Sequence, residues 1–423
     1  MRRASVLRAI PIAILTAFVA IAVTTRLRSK KPSPDAPPRD VMTSTSGTVV
    51  TRSVFEEPLR GPSPPPKANV PATAPRMVHG APSHVHRSAA RGPKAVKIGW
   101  RVSVKGAVAT QVIASPDEQT LYVGTLDGDV VALARGDGSR RWSVSLGDRV
   151  YSTPLVHDDG TVYVGTDAKK LVALSPKGET LWRLEVDGEV DSGPTFAKDG
   201  TIVFAAGSGV HAARRGGDLA WRFPAKGKVF TPPAITENGL VVFGSQDDHA
   251  YALTPNGTLA WAVDLGADVD GAPAIGDDGA IYVGTDHGEV VRLDDHGHIV
   301  WRTPVGGFVR GVLSIARNGD VLAGTYGPTP RLVRLAPDGQ VKGAFSIKGT
   351  GAREFGIHGG PLEDEDGVLF FGGQDDAVHA IAPDGSTRFR FETGGDVDAP
   401  LTLLSDGSLL VPSEDGTVTM LLP

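Results

Sequence analysis

Residue types able to do chemistry gather in three places along the chain. His79, His84 and His86 lie within eight residues and could offer imidazole nitrogens to a metal ion. They sit in a basic, proline-rich stretch, and that context predicts solvated side chains without a metal. The run Glu363-Asp364-Glu365-Asp366-Gly367 has the flavour of a Ca²⁺ loop, but Gln374 stands where the closing Glu belongs, so it reads as an acidic hairpin turn. The third group is Arg310, Tyr326, Arg353, Glu354, Phe355 and His358. Their charged and aromatic side chains suit contact with a partner or ligand better than bond-making. Single histidines such as His157, His211 and His379 read as ordinary strand or loop residues. The chain has no Cys, which excludes thiolate nucleophiles, disulfides and iron–sulfur clusters. No GxxxxGK, HExxH or GxSxG motif occurs. The expectation is therefore no catalytic residue, no cofactor and no metal site.

The elements that must position these residues begin beyond an unusual N-terminal quarter. Residues 1–99 carry 16 basic and 4 acidic side chains, whereas the remainder carries 27 and 44. An acidic globular part repels phosphate, so nucleic acid is not expected as a partner. Residues 1–31 combine Arg2, Arg3 and Arg8 with 17 uncharged residues up to Arg26. This predicts either a cleaved signal, with Ala20-Ile21-Ala22 as the cleavage site, or an uncleaved membrane anchor. Residues 32–96 hold 13 Pro and no apolar period, which predicts a disordered linker acting as a tether.

Residues 97–423 are one unit repeated. Trp100, Trp142, Trp182, Trp221, Trp261 and Trp301 are spaced by 42, 40, 39, 40 and 40 residues, and Gly343 and Phe389 continue the series in the Trp slot. Each unit reads as four short strands rich in β-branched and aromatic residues, with Asp-Gly or Asn-Gly turns such as Asp199-Gly200 and Asn238-Gly239. Pro154, Pro194, Pro233, Pro273, Pro361 and Pro400 recur in the first strand, which places that strand at a sheet edge. Four-stranded antiparallel units repeated radially make an all-β propeller. The last unit ends after its third strand, and the strand around Trp100 has no unit before it. Eight blades closed by that N-terminal strand are predicted, with the six Trp as structural repeat positions.

The frame Ala173-Leu174-Ser175-Pro176-Lys177-Gly178-Glu179-Thr180-Leu181-Trp182, and Ala252-Leu253-Thr254-Pro255-Asn256-Gly257 before Trp261, resembles the repeat of the PQQ-like β-propellers. That superfamily includes quinoprotein alcohol dehydrogenases and the outer-membrane assembly factor BamB. The dehydrogenase resemblance implies a quinone held between a Trp floor and a vicinal disulfide, with Ca²⁺ bound by Glu, Asn and Asp beside a catalytic Asp. Here there is no Cys, every Trp is at a repeat position, and Asn238, Asn256 and Asn318 all fall in hairpin turns. The BamB resemblance implies a non-catalytic scaffold presenting loops to envelope proteins on the periplasmic side, although no Cys exists for a lipid anchor. A small-ligand or carbohydrate-binding propeller is the alternative, and a monomer is expected. The site prediction rests on loop lengths. Trp-to-Pro spacing is 12 residues in four units, but Gly343 to Pro361 is 18. The loop Tyr326-Gly327-Pro328-Thr329-Pro330-Arg331 of the preceding blade is two residues longer than its counterparts. Arg310 replaces the Asp found at Asp191 and Asp270. Topology places these irregularities on one face, so the six residues named above form the expected contact patch.

Overall fold

In a computed structural model, which describes residues 76–423, eight four-stranded antiparallel sheets follow one another around a ring. The signal or anchor segment and residues 32–75 of the linker lie outside the described residues. Seven blades are contiguous in sequence, from the sheet of Ile113–Ala114, Thr120–Gly124, Asp129–Ala134 and Arg140–Ser145 to that of Leu362–Glu363, Leu369–Gly373, Ala377–Ile381 and Thr387–Glu392. The eighth takes Thr402–Leu403, Leu409–Ser413 and Thr417–Leu421 from the C-terminus and its outer strand, Ile98–Ser103, from the N-terminus. No α-helix occurs among the described residues.

The period of about 40 has a direct physical cause. Each Trp sits on the outer strand and donates its indole N–H to a turn carbonyl of the next blade: Trp100 to Arg135, Trp142 to Pro176, Trp182 to Arg215, Trp221 to Pro255, Trp261 to Asp295 and Trp301 to Pro337, all at 2.8–3.0 Å. The indole also lies flat over the glycine of that turn. At Gly257 the backbone has φ +81°, and an added Cβ would come within 2.5 Å of the Trp221 ring. Tryptophan and turn glycine are thus one inter-blade joint. Gly343 and Phe389 occupy the same register, opposite Arg334 and Ala380, where no such joint forms. The middle strands carry the core: Val162–Thr166 and Ile202–Ala205 are buried throughout, while the outer strands alternate. Each recurrent Pro stands just before or near a two-residue inner strand at the sheet edge, where a missing N–H breaks no ladder.

The structure differs from expectation at residues 76–92. The predicted linker does not remain free there but packs on the ring. Its backbone carbonyls accept from inner strands of five blades: Arg76 from Val156, Pro82 from Ile235, Ser83 from Ile275, Val85 from Ile315 and His86 from Glu363. Arg87, almost fully buried, pairs with Asp277 at 2.9 Å. His79, His84 and His86, expected to be solvated, are buried. The composition argument requires a segment to build its own core; this one uses the ring's core and contributes mainly backbone. The acidic run serves the same docking. Asp364 is buried and accepts from Gly92 N, and the Glu363 carbonyl accepts from Ser88 N at 2.8 Å.

Candidate functional site

The loop joining one blade to the next enters the ring through a buried aliphatic residue. In all eight blades its N–H donates to a carbonyl at the end of the preceding blade's second strand, as with Val190 to Thr166 at 3.3 Å and Val269 to Ser245 at 3.2 Å. Val190 and Val269 also pack on Gly165 and Gly244, where a Cβ would lie 2.3 and 2.4 Å away. This anchor fixes the next residue, which faces the axis. The eight residues so placed are Ala109, Tyr151, Asp191, Phe230, Asp270, Arg310, His358 and Asp398, and all eight line a funnel of about 540 Å³ together with Tyr326 and Glu414. Residues 76–92 cross the inner strands at their other ends, so the funnel is blind.

Arg310, Tyr326 and His358 of the predicted patch line the funnel, and Arg353, Glu354 and Phe355 flank it. Tyr326 joins the two irregular loops: its backbone pairs with Phe308 on one side and Gly356 on the other, and its buried hydroxyl is 2.9 Å from His358 Nδ1. Arg310 bonds Asp286 through Nε and Nη2 at 2.9 and 2.7 Å and pairs with Glu354. The guanidinium groups of Arg310 and Arg353 lie 4.8 and 4.6 Å from the centroid of the Phe308 ring. Phe355 is half-buried against the core. The six predicted residues therefore share one sector.

The remaining ring residues escaped the sequence reading, although the repeat marks them as the position after each buried aliphatic. Asp191, Asp270 and Asp398 each carry a buried Oδ1 without a partner. Burial, aided by neighbouring Asp167, pushes Asp191 up to about 8. Burial with Asp286 pushes Asp270 to about 6, and burial with Asp398 pushes Asp396 and Glu414 each to about 7. Between the carboxylates stand Tyr151 and Phe230, part-exposed, each with a cation near its ring: Arg149 at 5.6 Å and Lys228 at 5.4 Å. The funnel is thus a rigid acidic cup with aromatic walls, broken by Arg310 and His358. Asp268, Asp270 and Asp286 bring carboxylate oxygens within 4.8 Å of one another, but Arg310 is already bonded to Asp286.

Among solved structures, BamB from Moraxella catarrhalis superposes with TM-score 0.63 at 20% identity, covering 78% of this chain and 98% of its own. A europium-containing methanol dehydrogenase gives 0.64 at 13%, covering 81% and 89%. The quinohemoprotein alcohol dehydrogenase from Comamonas testosteroni gives 0.69 at 14%, covering 83% and 82%. These likenesses establish the fold. A comparison with functionally curated proteins finds no match. Among the described residues no helix is long and apolar enough to cross a membrane. The family profile described as outer membrane protein assembly factor BamB matches residues 93–177, 168–255 and 246–341, more than half of the sequence, and the chain belongs to this PQQ-like β-propeller family.

Proposed function

We propose that the chain is a non-catalytic propeller of the cell envelope that docks a protein partner on its funnel face. The observation that carries this reading is the fusion of two irregular loops, through Tyr326, into one braced platform beside a blind funnel. A blind funnel can receive a group but cannot conduct one, and loops on a rigid ring are suited to recognition. Family membership supports an envelope role. The N-terminal segment supplies the membrane link if it is not cleaved.

The quinone of the enzyme relatives does not suit these residues. Pyrroloquinoline quinone carries three carboxylates, and the funnel lined by Asp191, Asp270, Asp398 and Glu414 offers them one guanidinium, that of Arg310, which Asp286 and Glu354 already hold. The tryptophans that could stack on it are committed to outer-strand joints. A second reading, a small cationic ligand in the funnel, draws on the unpartnered oxygens of Asp191, Asp270 and Asp398 beside Tyr151 and Phe230.

The test is cross-linking and pull-down from native membranes with the double charge reversal Arg353→Glu/Glu354→Lys. Both side chains are exposed, so the melting temperature should stay within about 2 °C. Partner recovery should be lost. Undiminished recovery would remove the patch from the reading, and dye-linked alcohol oxidation on adding quinone and Ca²⁺ would overturn the non-catalytic role.

A further inference from the structure

We propose that His79, His84 and His86 form a three-histidine site for a divalent transition-metal ion at the propeller axis. The inference is independent of the docking reading. The partners of this trio come from opposite sides of the ring. His79 N donates to Gln111 of the first blade, His84 faces Pro273 before the fifth, and His86 faces Gly360 before the seventh and Leu401 before the eighth. The three rings therefore occupy the axis, and all three are fully buried.

Ring spacing is the first argument. The His79 centroid is 5.4 Å from that of His84 and 5.0 Å from that of His86. Two imidazoles binding one tetrahedral ion at about 2.0 Å hold their centroids roughly 5 Å apart. Proton placement is the second. A carbonyl only accepts, so His84 Nδ1, 3.0 Å from Pro273 O, carries the proton and leaves the Nε2 lone pair free; that Nε2 is buried without a partner. His86 Nδ1 is likewise 2.8 Å from Gly360 O. A neutral His86 then has no proton for Leu401 O, 3.1 Å from Nε2, and that carbonyl already accepts from Gln111 Nε2 at 3.0 Å. Lone pair faces lone pair, and an ion that draws Nε2 away relieves the contact. His79 has no partner on either ring nitrogen. An Nδ1–H held by a backbone carbonyl is the outer-shell arrangement that orients histidine ligands to metals.

Two further features agree. The three histidines are 1%, 0% and 1% exposed, so water does not compete for their nitrogens. The backbone is left-handed at each of them, with φ of 55°, 56° and 53°. Such conformations are costly away from glycine, and here they turn three imidazoles inward from a short segment. The ring nitrogens do not all lie within 4.8 Å of one another, so binding includes a closing movement of the imidazoles toward one another. Three neutral nitrogens suit zinc, copper or nickel, not calcium or magnesium. The bound ion would pin residues 76–92 across the axis.

The test uses the full chain. Because the site is buried, the protein is stripped with chelator in urea and refolded with Zn²⁺ or Ni²⁺, and bound metal is counted after desalting. One ion per chain, a melting temperature raised by several degrees, and X-ray absorption showing three nitrogen ligands near 2.0 Å are expected. The double variant His79→Gln/His84→Gln should lose the ion, while His296→Gln, at the exposed Asp294-Asp295-His296 group, should keep it. Absence of a retained ion in the parent, retention by the double variant, or oxygen-dominated absorption would each overturn the proposal. The absorption arm stands even if a variant misfolds.

Discussion

Two glycines at the same turn position allow the inter-blade joint to be weighed by itself. Gly257 and Gly385 each close a Pro-x-Gly turn, with φ of +81° and +85°, and each N–H donates at 2.9 Å to the carbonyl three residues back. They differ in what lies above them. An added Cβ at Gly257 meets Trp221 Cδ2 at 2.5 Å, whereas at Gly385 it meets nothing within 4 Å, because Gly343 fills the Trp slot of the blade before. Alanine at Gly385 therefore incurs only the left-handed backbone term, about 1–2 kcal/mol. Alanine at Gly257 incurs that term plus an overlap well inside the ~3.5–4.0 Å carbon–carbon optimum, an overpacking worth about 1–3 kcal/mol more. Equilibrium denaturation of Gly257→Ala and Gly385→Ala should separate the two by that second amount. Placing Gly257→Ala in a Trp221→Leu background should reduce its cost to that of Gly385→Ala, since the overlapping ring is gone. Equal costs for the two alanines in the parent would refute the joint and leave the tryptophan series without this physical cause.

The pH dependence of stability follows from two opposed sets of groups. Asp191, Asp396 and Glu414 are raised to about 8, 7 and 7, so the folded state holds protons that the unfolded chain releases, and stability falls as pH rises through these values. His84 and His86 are lowered to about 4, so their contribution is complete above the unfolded value near 6.5 and is lost as pH falls toward 4. Thermal melts of chelator-treated protein should fall between pH 6.5 and 8.5, and Asp191→Asn should flatten that decline; a rise over this range would contradict the burial of the funnel carboxylates. A chain starting at residue 93 should keep the closed ring, because Ile98–Ser103 still pairs with Thr417–Leu421, but melt several degrees below a chain starting at residue 76. Equal melting would mean that the backbone bonds to five blades and the Arg87–Asp277 pair contribute nothing.

The fold was legible because a propeller writes its architecture into a period. Trp and turn glycine recur because neighbouring blades meet through the same joint, and edge proline recurs because each blade has the same inner edge, so the same reasons stand in the sequence six times over. Even closure was readable, since an unpaired first strand and a missing last strand must meet. The sector of irregular loops was legible for the opposite reason: insertions stand out against a regular background. What the sequence hid were relations across the ring, between blades that are not neighbours in the chain. Asp191 reads only as the counterpart of Arg310 in another blade until the ring is closed and brings Asp270, Asp398 and Glu414 around the same funnel. Asp286 falls outside every sequence signal of a site, yet it holds Arg310 through two nitrogens.

Residues 76–92 expose the limit of compositional reasoning. A segment is judged disordered when it cannot bury enough apolar surface to offset its ordering entropy. That judgement treats the segment as its own reference. Here Val78 and Val85 are the main apolar contributions, and the remaining order comes from carbonyls that accept the free N–H groups of two-residue inner strands. Those N–H groups belong to the inner edges of five of the eight sheets, and an unpaired edge is a liability. The linker sequence supplies what those edges lack. Its one proline, Pro82, has no N–H to satisfy, and its carbonyl accepts from Ile235. Low hydrophobicity is therefore compatible with order when the ordering partner is already folded and needs backbone acceptors. The same logic explains the histidines. In water they are unremarkable solvated side chains, and only a closed ring with its axis to fill turns them into a buried cluster.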